Sequence, residues 1–430
     1  MKHPKPHARR AFMLAMGVGV SLVLSGCVPT VDAKTDGPAQ VDAPFPADIT
    51  DRLNAALAEA MALSGASGAI VGVWAPWAGE WIVSPGTTTM DGDTPLSTDM
   101  RFRVGTNTTS MTCTVLLKLV DAGRVKLSDT VSTYLPRVAG LDGITLGQLC
   151  QNTSGVADYY AELAPQFVNN PTRQWPPLEV VSSGLAAKRV AEPGGAWAQS
   201  NTGIVLLGLA LQTVTNQDWP SLYQQYIFDP LEMKDTSFPA SSDLQIPGPH
   251  PHGYATALDQ ASQPVCETVR DETRLSNSMG WVANGVVSTI TDMKAWAQAL
   301  AKGSLLSEKS AKAQWSTVPQ GENSAAWRGY GLGAQQAGPL RGHGGTIPGF
   351  ISATFADPSS GLTVVVMLNN SNSGDGFART LGLRLASIAS KAPPAGREEA
   401  PTLQLPWSEE QTVATMQAAA ICQPAAAPAG

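Results

Sequence analysis

The stretch FRVGTNTTSMTCTVLLKLVDAG, residues 102–123, decides the fold of this chain. FRVG is a short extended run, and apolar residues then recur at helical spacing from Met111 to Val120. Hydroxyl and amide side chains crowd the junction between the two. The stretch therefore predicts a strand that turns directly into a helix, with polar side chains at the helix N-terminus, where backbone N–H groups have no helical partner.

Five further segments accompany this helix start along the chain. They are VKLSDTVSTYLP (125–136), ITLGQLCQNTSG (144–155), PGGAWAQSNTGIVLLGLAL (193–211), IFDPLEMKDTSF (227–238) and GHGGTIPGF (342–350). In order and spacing, the six segments resemble those of the serine β-lactamase and penicillin-binding protein family, in its branch of class C β-lactamases, D-Ala-D-Ala carboxypeptidases and esterases. The resemblance covers roughly residues 48–390.

The resemblance implies an α+β chain with the β-lactamase/transpeptidase-like fold, in which an antiparallel sheet flanked by helices adjoins an all-α subdomain. We expect a discontinuous α/β subdomain from residues 47–105 and 280–391, and an all-α subdomain from 106–279. AIVGVWAP and GEWIVSP read as a hairpin around 77–79, and Thr291 as the N-cap of a helix that begins at Asp292. A Pro/Ala-rich tail, 392–430, carries one short helix that the Ser408–Gln411 pattern would cap.

The family's reactive residues are altered in this chain. Its Ser-x-x-Lys corresponds to Thr106 and Thr109, and its Tyr-x-Asn corresponds to Gln199-Ser200-Asn201. A threonine hydroxyl cannot act as a general base near neutral pH, and the loss of such a base costs roughly 10²- to 10⁴-fold in rate. Gln199 forms hydrogen bonds but does not titrate. No Ser-x-x-Lys, Gly-x-Ser-x-Gly or Lys-Thr-Gly occurs elsewhere in the sequence.

The binding half of the family's site has counterparts here. His343-Gly344-Gly345 corresponds to the family's Lys-Thr-Gly or His-x-Gly, and Asn201 is retained. The resemblance implies that the glycines admit a ligand backbone, and that the amides of Thr106 and Thr346 form an oxyanion-type pair. His343 would bind a carboxylate or titrate, although a lone histidine in a Gly-rich loop is also compatible with a structural role.

Two functions from different classes remain open at this point. The first is a catalytically degenerate family member whose cleft binds a peptide, a peptidoglycan fragment or an envelope protein without turnover. The second is a slow or unusual carboxypeptidase, esterase or β-lactamase that uses Thr106, with water or His343 as the base. A purely structural envelope protein is a third reading. The sequence predicts no cofactor.

Residues 1–26 read as an export signal, with a basic start and an apolar run from Ala11 to Leu24. The run ends in Leu24-Ser25-Gly26-Cys27, which resembles a lipobox and implies lipidation of Cys27, although a buried cysteine in an apolar helix is the alternative. Arg9-Arg10 further resembles a twin-arginine signal. Residues 27–46 would then be a flexible linker. We expect an exported protein anchored by lipid to the outer face of the cytoplasmic membrane or to the cell envelope.

Charge and cysteine content limit the partners. Residues 1–26 carry four of the 28 Lys and Arg and no acid, so 24 basic residues then face 35 acidic ones, a net charge of −11. Such a chain is a poor nucleic-acid binder.

Besides Cys27, four cysteines permit two disulfides with three connectivities, or buried free thiols. Cys113 and Cys150 lie on helices that pack together in the family, which favours that pair. No metal motif is found, and His250 and His252 read as solvated.

Overall fold

The computed structural model describes residue 1, residues 38–395 and residues 399–423. The signal segment after Met1, the lipobox with Cys27 and the first part of the linker lie outside these residues. Within them, no helix is long and apolar enough to cross a membrane.

Twelve α-helices occur in the described ranges. They are α1 Ala47–Ser64, α2 Asn107–Asp121, α3 Val131–Tyr134, α4 Leu146–Gln151, α5 Tyr160–Asn169, α6 Pro177–Ala186, α7 Asn201–Thr215, α8 Trp219–Tyr223, α9 Ile290–Lys302, α10 Glu308–Gln314, α11 Gly374–Ala389 and α12 Glu409–Ala418. A π-helical turn, Gln224–Phe228, follows α8, and two 3₁₀ turns, Asn277–Met279 and Trp281–Ala283, precede α9.

Twelve strands accompany them. They are β1 Ala69–Ala75, β2 Gly79–Val83, β3 Phe102–Arg103, β4 Tyr254–Leu258, β5 Pro264–Asp271, β6 Val287–Ser288, β7 Val318–Pro319, β8 Arg328–Tyr330, β9 Gln335–Ala337, β10 Leu340–Ile347, β11 Phe350–Ala356 and β12 Thr363–Leu368. Eight of them form an antiparallel sheet in the order β2-β1-β12-β11-β10-β9-β8-β7. Its strands come from both ends of the chain, as the sequence predicts.

Both faces of the sheet centre are covered, which explains the unbroken apolar run of β12. Val364, Val366 and Leu368 belong to the core cluster that also contains residues of α1 and α11. Val365 and Met367 belong to the cluster formed with α2 and the other helices of the middle of the chain. Because successive side chains of a strand point to opposite faces, a strand buried on both sides needs apolar residues at every position.

The helical half departs from the prediction in one respect. Residues 106–279 are not all-α, because β4 and β5 form a separate antiparallel hairpin. The β5 segment PVCETVRD contains β-branched residues that suit a strand, and Cys266 within it forms a disulfide with Cys422. That disulfide ties the C-terminal tail to the hairpin.

The remaining local predictions have mixed outcomes. The hairpin of β1 and β2 is confirmed, and Ser408 and Gln411 form the capping box of α12. The disulfide between Cys113 and Cys150 is also present. The N-cap at Thr291 is wrong, since α9 begins at Ile290 and the hydroxyl of Thr289 accepts from Asp292 N at 3.3 Å. Thr289 has the extended backbone that a cap requires.

Candidate functional site at the start of helix α2

A left-handed glycine presses the start of α2 against strand β10. Gly105 has φ of +58°, and a Cβ at this position would lie 2.6 Å from Thr346 N. Only glycine combines this backbone conformation with so close an approach. The side chains at the helix start are therefore held directly beside β10.

The hydroxyl at the nucleophile position is engaged on both sides. Thr106 is 2% exposed, and its Oγ1 donates to Gly344 O at 3.2 Å and accepts from Thr346 N at 3.2 Å. The Thr346 amide, which the sequence assigns to an oxyanion-type pair, is thus occupied by the protein's own hydroxyl. The pair is available to a ligand only if Thr106 releases it.

Thr109, which the resemblance aligns with the family's lysine, is also buried and hydrogen-bonded within the protein. Thr109 is 4% exposed, and its hydroxyl donates to Ala283 O at 3.1 Å. A neutral hydroxyl bonded to a main-chain carbonyl offers no group that takes up a proton near pH 7. The structure therefore shows no base at this position.

The loop that carries Gln199 is fixed by the C-cap of α4. Asn152, in the left-handed conformation with φ of +56°, accepts from Ala198 N at 2.9 Å through its carbonyl and from Ser200 N at 3.1 Å through Oδ1. Gln199 between them is half-buried. Gln199, which the resemblance aligns with the family's tyrosine, has a side chain that does not titrate near neutral pH.

Asn201 contacts a carboxylate that the sequence analysis missed. Its Nδ2 donates to Asp158 Oδ2 at 2.9 Å, and Asp158 Oδ1 accepts from Tyr160 N at 3.0 Å. Burial raises the pKa of Asp158 to about 6, against the lowering effect of these hydrogen bonds. No periodicity or motif distinguishes Asp158, since its role depends on a contact 43 residues away along the chain.

His343 is buried and hydrogen-bonded within the protein, which favours a structural role over the expected role as a carboxylate ligand or titrating group. It is 3% exposed, its Nδ1 donates to Gly344 O, and its Nε2 accepts from the hydroxyl of Tyr330 at 3.1 Å. Burial lowers the pKa of His343 to about 4. The imidazole is therefore neutral at pH 7. Tyr330 in turn packs against Trp197 with ring centroids 5.5 Å apart, which joins β8 to the loop of Gln199.

The glycines of β10 are required by the protein's own packing. A Cβ on Gly345 would lie 2.0 Å from Val104 O, and one on Gly344 would lie 2.7 Å from the Cγ and Cδ atoms of Arg379. Both faces of the strand are thus covered at this point. The expectation that these glycines serve the approach of a ligand is replaced by an explanation from close packing.

A cavity adjoins Gly344 on the side of α11. It measures about 200 Å³, and Arg328, Arg379 and Gln335 line it together with apolar groups of α11. Burial, and next the charge of Arg379, lowers the pKa of Arg328, so the two guanidinium groups influence one another. The side chain of Gln335 accepts from Gly344 N at 3.3 Å. The cavity therefore holds two cations, and the carboxylate of Asp375 lies 3.4 Å from Nε of Arg379.

Among the residues that the structure describes, no group of three or more His, Cys, Asp or Glu side chains could hold a metal ion. His252 lies beside Asp271, with Nδ1 and Oδ2 2.6 Å apart, and both side chains are exposed. This exposed pair does not belong to the cleft.

Comparison with known proteins decides the family. The family model described as Beta-lactamase matches residues 53–387, well over half of the chain. The chain belongs to the β-lactamase family. Its predicted β-lactamase/transpeptidase-like fold is confirmed by the same match and by solved structures.

Two curated relatives of this β-lactamase-family protein are named as peptidases. It is 32% identical to D-alanyl-D-alanine-carboxypeptidase/endopeptidase AmpH of Escherichia coli (strain K12), over 46% of this chain and 49% of that protein. It is 27% identical to a D-aminopeptidase of Cereibacter sphaeroides, over 70% and 55%. The chain thus spans about half the length of the curated relatives it matches.

Among solved structures, a D-stereospecific amidohydrolase from Streptomyces sp. is similar with a TM-score of 0.65 and 28% identity. The likeness covers 76% of this chain and 95% of that one. The membership and the fold are therefore secure, and the chemistry of this family member depends on its own side chains.

Proposed function

We propose that this protein binds a peptide, a peptidoglycan fragment or an envelope protein in the cleft at the start of α2 and does not hydrolyse it. We further propose that export and lipidation of Cys27 hold it at the cell envelope. The family membership supports the cleft, and the substitutions within the cleft support the absence of turnover.

One observation carries the proposal. The hydroxyl of Thr106 is bonded to Gly344 O and Thr346 N, and the hydroxyl of Thr109 is bonded to Ala283 O. Nucleophilic catalysis needs a hydroxyl whose proton passes to an adjacent base. Here both hydroxyls are held by main-chain groups, and neither is paired with a titratable side chain.

The cleft nevertheless retains features that suit a peptide. From Gly344 to Thr346, β10 pairs with β11 alone, and a ligand would reach its other edge by displacing the side chains of Thr106 and Gln335, which now bond to it. An extended peptide adds to such an edge through main-chain hydrogen bonds. In the cavity on the α11 side of β10, Arg328 and Arg379 favour a ligand that ends in a carboxylate, which would compete with Asp375 for Arg379.

Calorimetric titration with matched peptides tests the proposal. The probe is a synthetic peptide ending in D-alanyl-D-alanine, and the control is the same peptide as its C-terminal amide. We expect the acid to bind more tightly than the amide, and Arg379→Gln to reduce this difference. Mass spectrometry of the mixture after prolonged incubation should return the peptide intact. Release of D-alanine by the wild-type protein would contradict the proposal.

The alternative function is a weak hydrolase that uses Thr106. The names of two relatives, a D-alanyl-D-alanine-carboxypeptidase/endopeptidase and a D-aminopeptidase, favour it. It requires a water or another group to replace the base at Thr109. Turnover that Thr106→Ala abolishes would support it.

Membrane attachment has a separate test. Cys27→Ser removes the thiol that lipidation requires, so the variant should leave the membrane fraction of the expressing bacterium and appear in the soluble fraction. Equal membrane retention of wild-type protein and variant would refute the lipid anchor.

A further inference from the structure

We infer that the disulfide between Cys113 and Cys150 positions three chain segments that carry the cleft, so that its loss disorders the cleft while the sheet stays folded. The role in binding rests on the proposed function, whereas the coupling of the segments does not.

The first segment is the start of α2. Cys113 lies one turn after Thr109 on this helix and is fully buried, as is Cys150 on α4. The disulfide therefore joins the helix whose first turn contains Thr106 and Thr109 to the short helix α4. A six-residue helix such as α4 has little stability of its own and depends on such contacts.

The second segment is the loop of Gln199. Two residues after Cys150, Asn152 accepts from Ala198 N and Ser200 N, and Thr153 O accepts from Gly194 N at 2.7 Å. The loop is thus fastened at three points to the end of α4. A shift of α4 would move Gln199 relative to Thr106.

The third segment is the turn between β8 and β9. Gly333 N donates to Cys150 O at 2.8 Å, and a Cβ on Gly333 would lie 2.7 Å from Cys113 Sγ. Gly333 has φ of +70°, and two residues later Gln335 accepts from Gly344 N. The disulfide therefore also fixes the side chain that contacts the edge of β10.

Hydrogen–deuterium exchange on three proteins tests the inference without a ligand. They are the wild type, Cys113→Ala/Cys150→Ala, and Cys266→Ala/Cys422→Ala. The second disulfide is the matched control, because it joins β5 to the tail, and neither carries a side chain of the cleft.

In the first variant we expect amides of segments 106–113, 194–201 and 331–335 to exchange at least about tenfold faster, with β11 and β12 unchanged. In the control variant the three segments should keep wild-type rates. Unchanged rates in the first variant would overturn the inference. So would an equal acceleration throughout the chain, because that result shows only a loss of global stability.

A second variant keeps the test valid if the double alanine protein does not fold. Gly333→Ala retains both disulfides but places a Cβ against Cys113. We expect faster exchange in segments 331–335 and 106–113, and wild-type rates in both would refute the coupling.

Peptide titration of the same proteins then separates the two proposals. If the wild type binds, the first variant should lose at least about fivefold in affinity and the control variant should not. If the wild type binds no peptide while the three segments loosen as expected, the proposed function fails and the positioning role of the disulfide stands.

Discussion

Replacement of Thr106 by valine removes one hydroxyl while it keeps the shape of the side chain. In the structure this hydroxyl donates to Gly344 O and accepts from Thr346 N, both at 3.2 Å. The variant leaves a carbonyl and an amide of β10 without this partner at the junction of β10 and α2. Thr106→Ser is the matched control, because it loses a methyl group and keeps both hydrogen bonds.

The magnitude follows from the cost of unpaired groups. A buried donor or acceptor that loses its partner costs about 1–3 kcal/mol. Gly344 O retains the donor His343 Nδ1, so the loss falls mainly on Thr346 N, which is only partly buried. We therefore expect Thr106→Val to lower the free energy of unfolding by about 1–2 kcal/mol, in the lower part of that range, and Thr106→Ser by less than about 1 kcal/mol.

Urea unfolding followed by circular dichroism measures this difference, as a shift in midpoint at constant slope. Equal midpoints for Thr106→Val and the wild type would refute the reasoning. That result would mean that the hydroxyl is not held by β10 and is free for other chemistry.

Three further predictions concern buried groups. Burial lowers the pKa of His343 to about 4, so between pH 6.5 and pH 4 the unfolded chain binds more protons than the folded protein. Up to about 3 kcal/mol of the free energy of unfolding should therefore be lost as the pH falls from 6.5 to 4. In urea titrations at several pH values, His343→Gln should show a smaller loss. Burial raises the pKa of Glu272 to about 8, and neither of its carboxylate oxygens has a hydrogen-bond partner. Stability should therefore fall as the pH rises from 4.5 to 8, and Glu272→Gln should melt at a higher temperature than the wild type at pH 8.5 but not at pH 5. Gly345→Ala places a Cβ 2.0 Å from Val104 O and should lower the free energy of unfolding by about 1–3 kcal/mol in the same urea assay. An unchanged midpoint would contradict the close packing of β10 against Val104.

The fold was predicted from the resemblance of six segments to a known family, and local signals in the sequence support several of its elements. The turn at Gly105, the apolar period of α2 and the continuous apolar run of β12 follow from residue type and spacing. The disulfide between Cys113 and Cys150 followed from the family resemblance, whereas spacing alone left three connectivities open. The hairpin of β4 and β5 was missed, because the side chains of β5 are almost all exposed and form no alternating apolar pattern.

The site was accessible only in part. Sequence alignment by motif identified Thr106, Thr109 and Gln199, since their positions are defined by fixed spacing. The states of His343 and Asp158 depend on burial and on partners such as Tyr330, which lie outside any local pattern. Pairwise contacts of this kind set the pKa values, and sequence periodicity does not encode them.

The central claim is that the cleft binds without acyl transfer, and intact-mass measurement tests it most directly. The wild type, Thr106→Ala and the combined variant Thr106→Ser/Thr109→Lys/Gln199→Tyr are each incubated with a chromogenic cephalosporin and a p-nitrophenyl ester. We predict no covalent adduct on the wild type or on Thr106→Ala, and an adduct on the combined variant, which regains a nucleophile, a base and a phenol. An acyl adduct on the wild type that Thr106→Ala abolishes would contradict the claim.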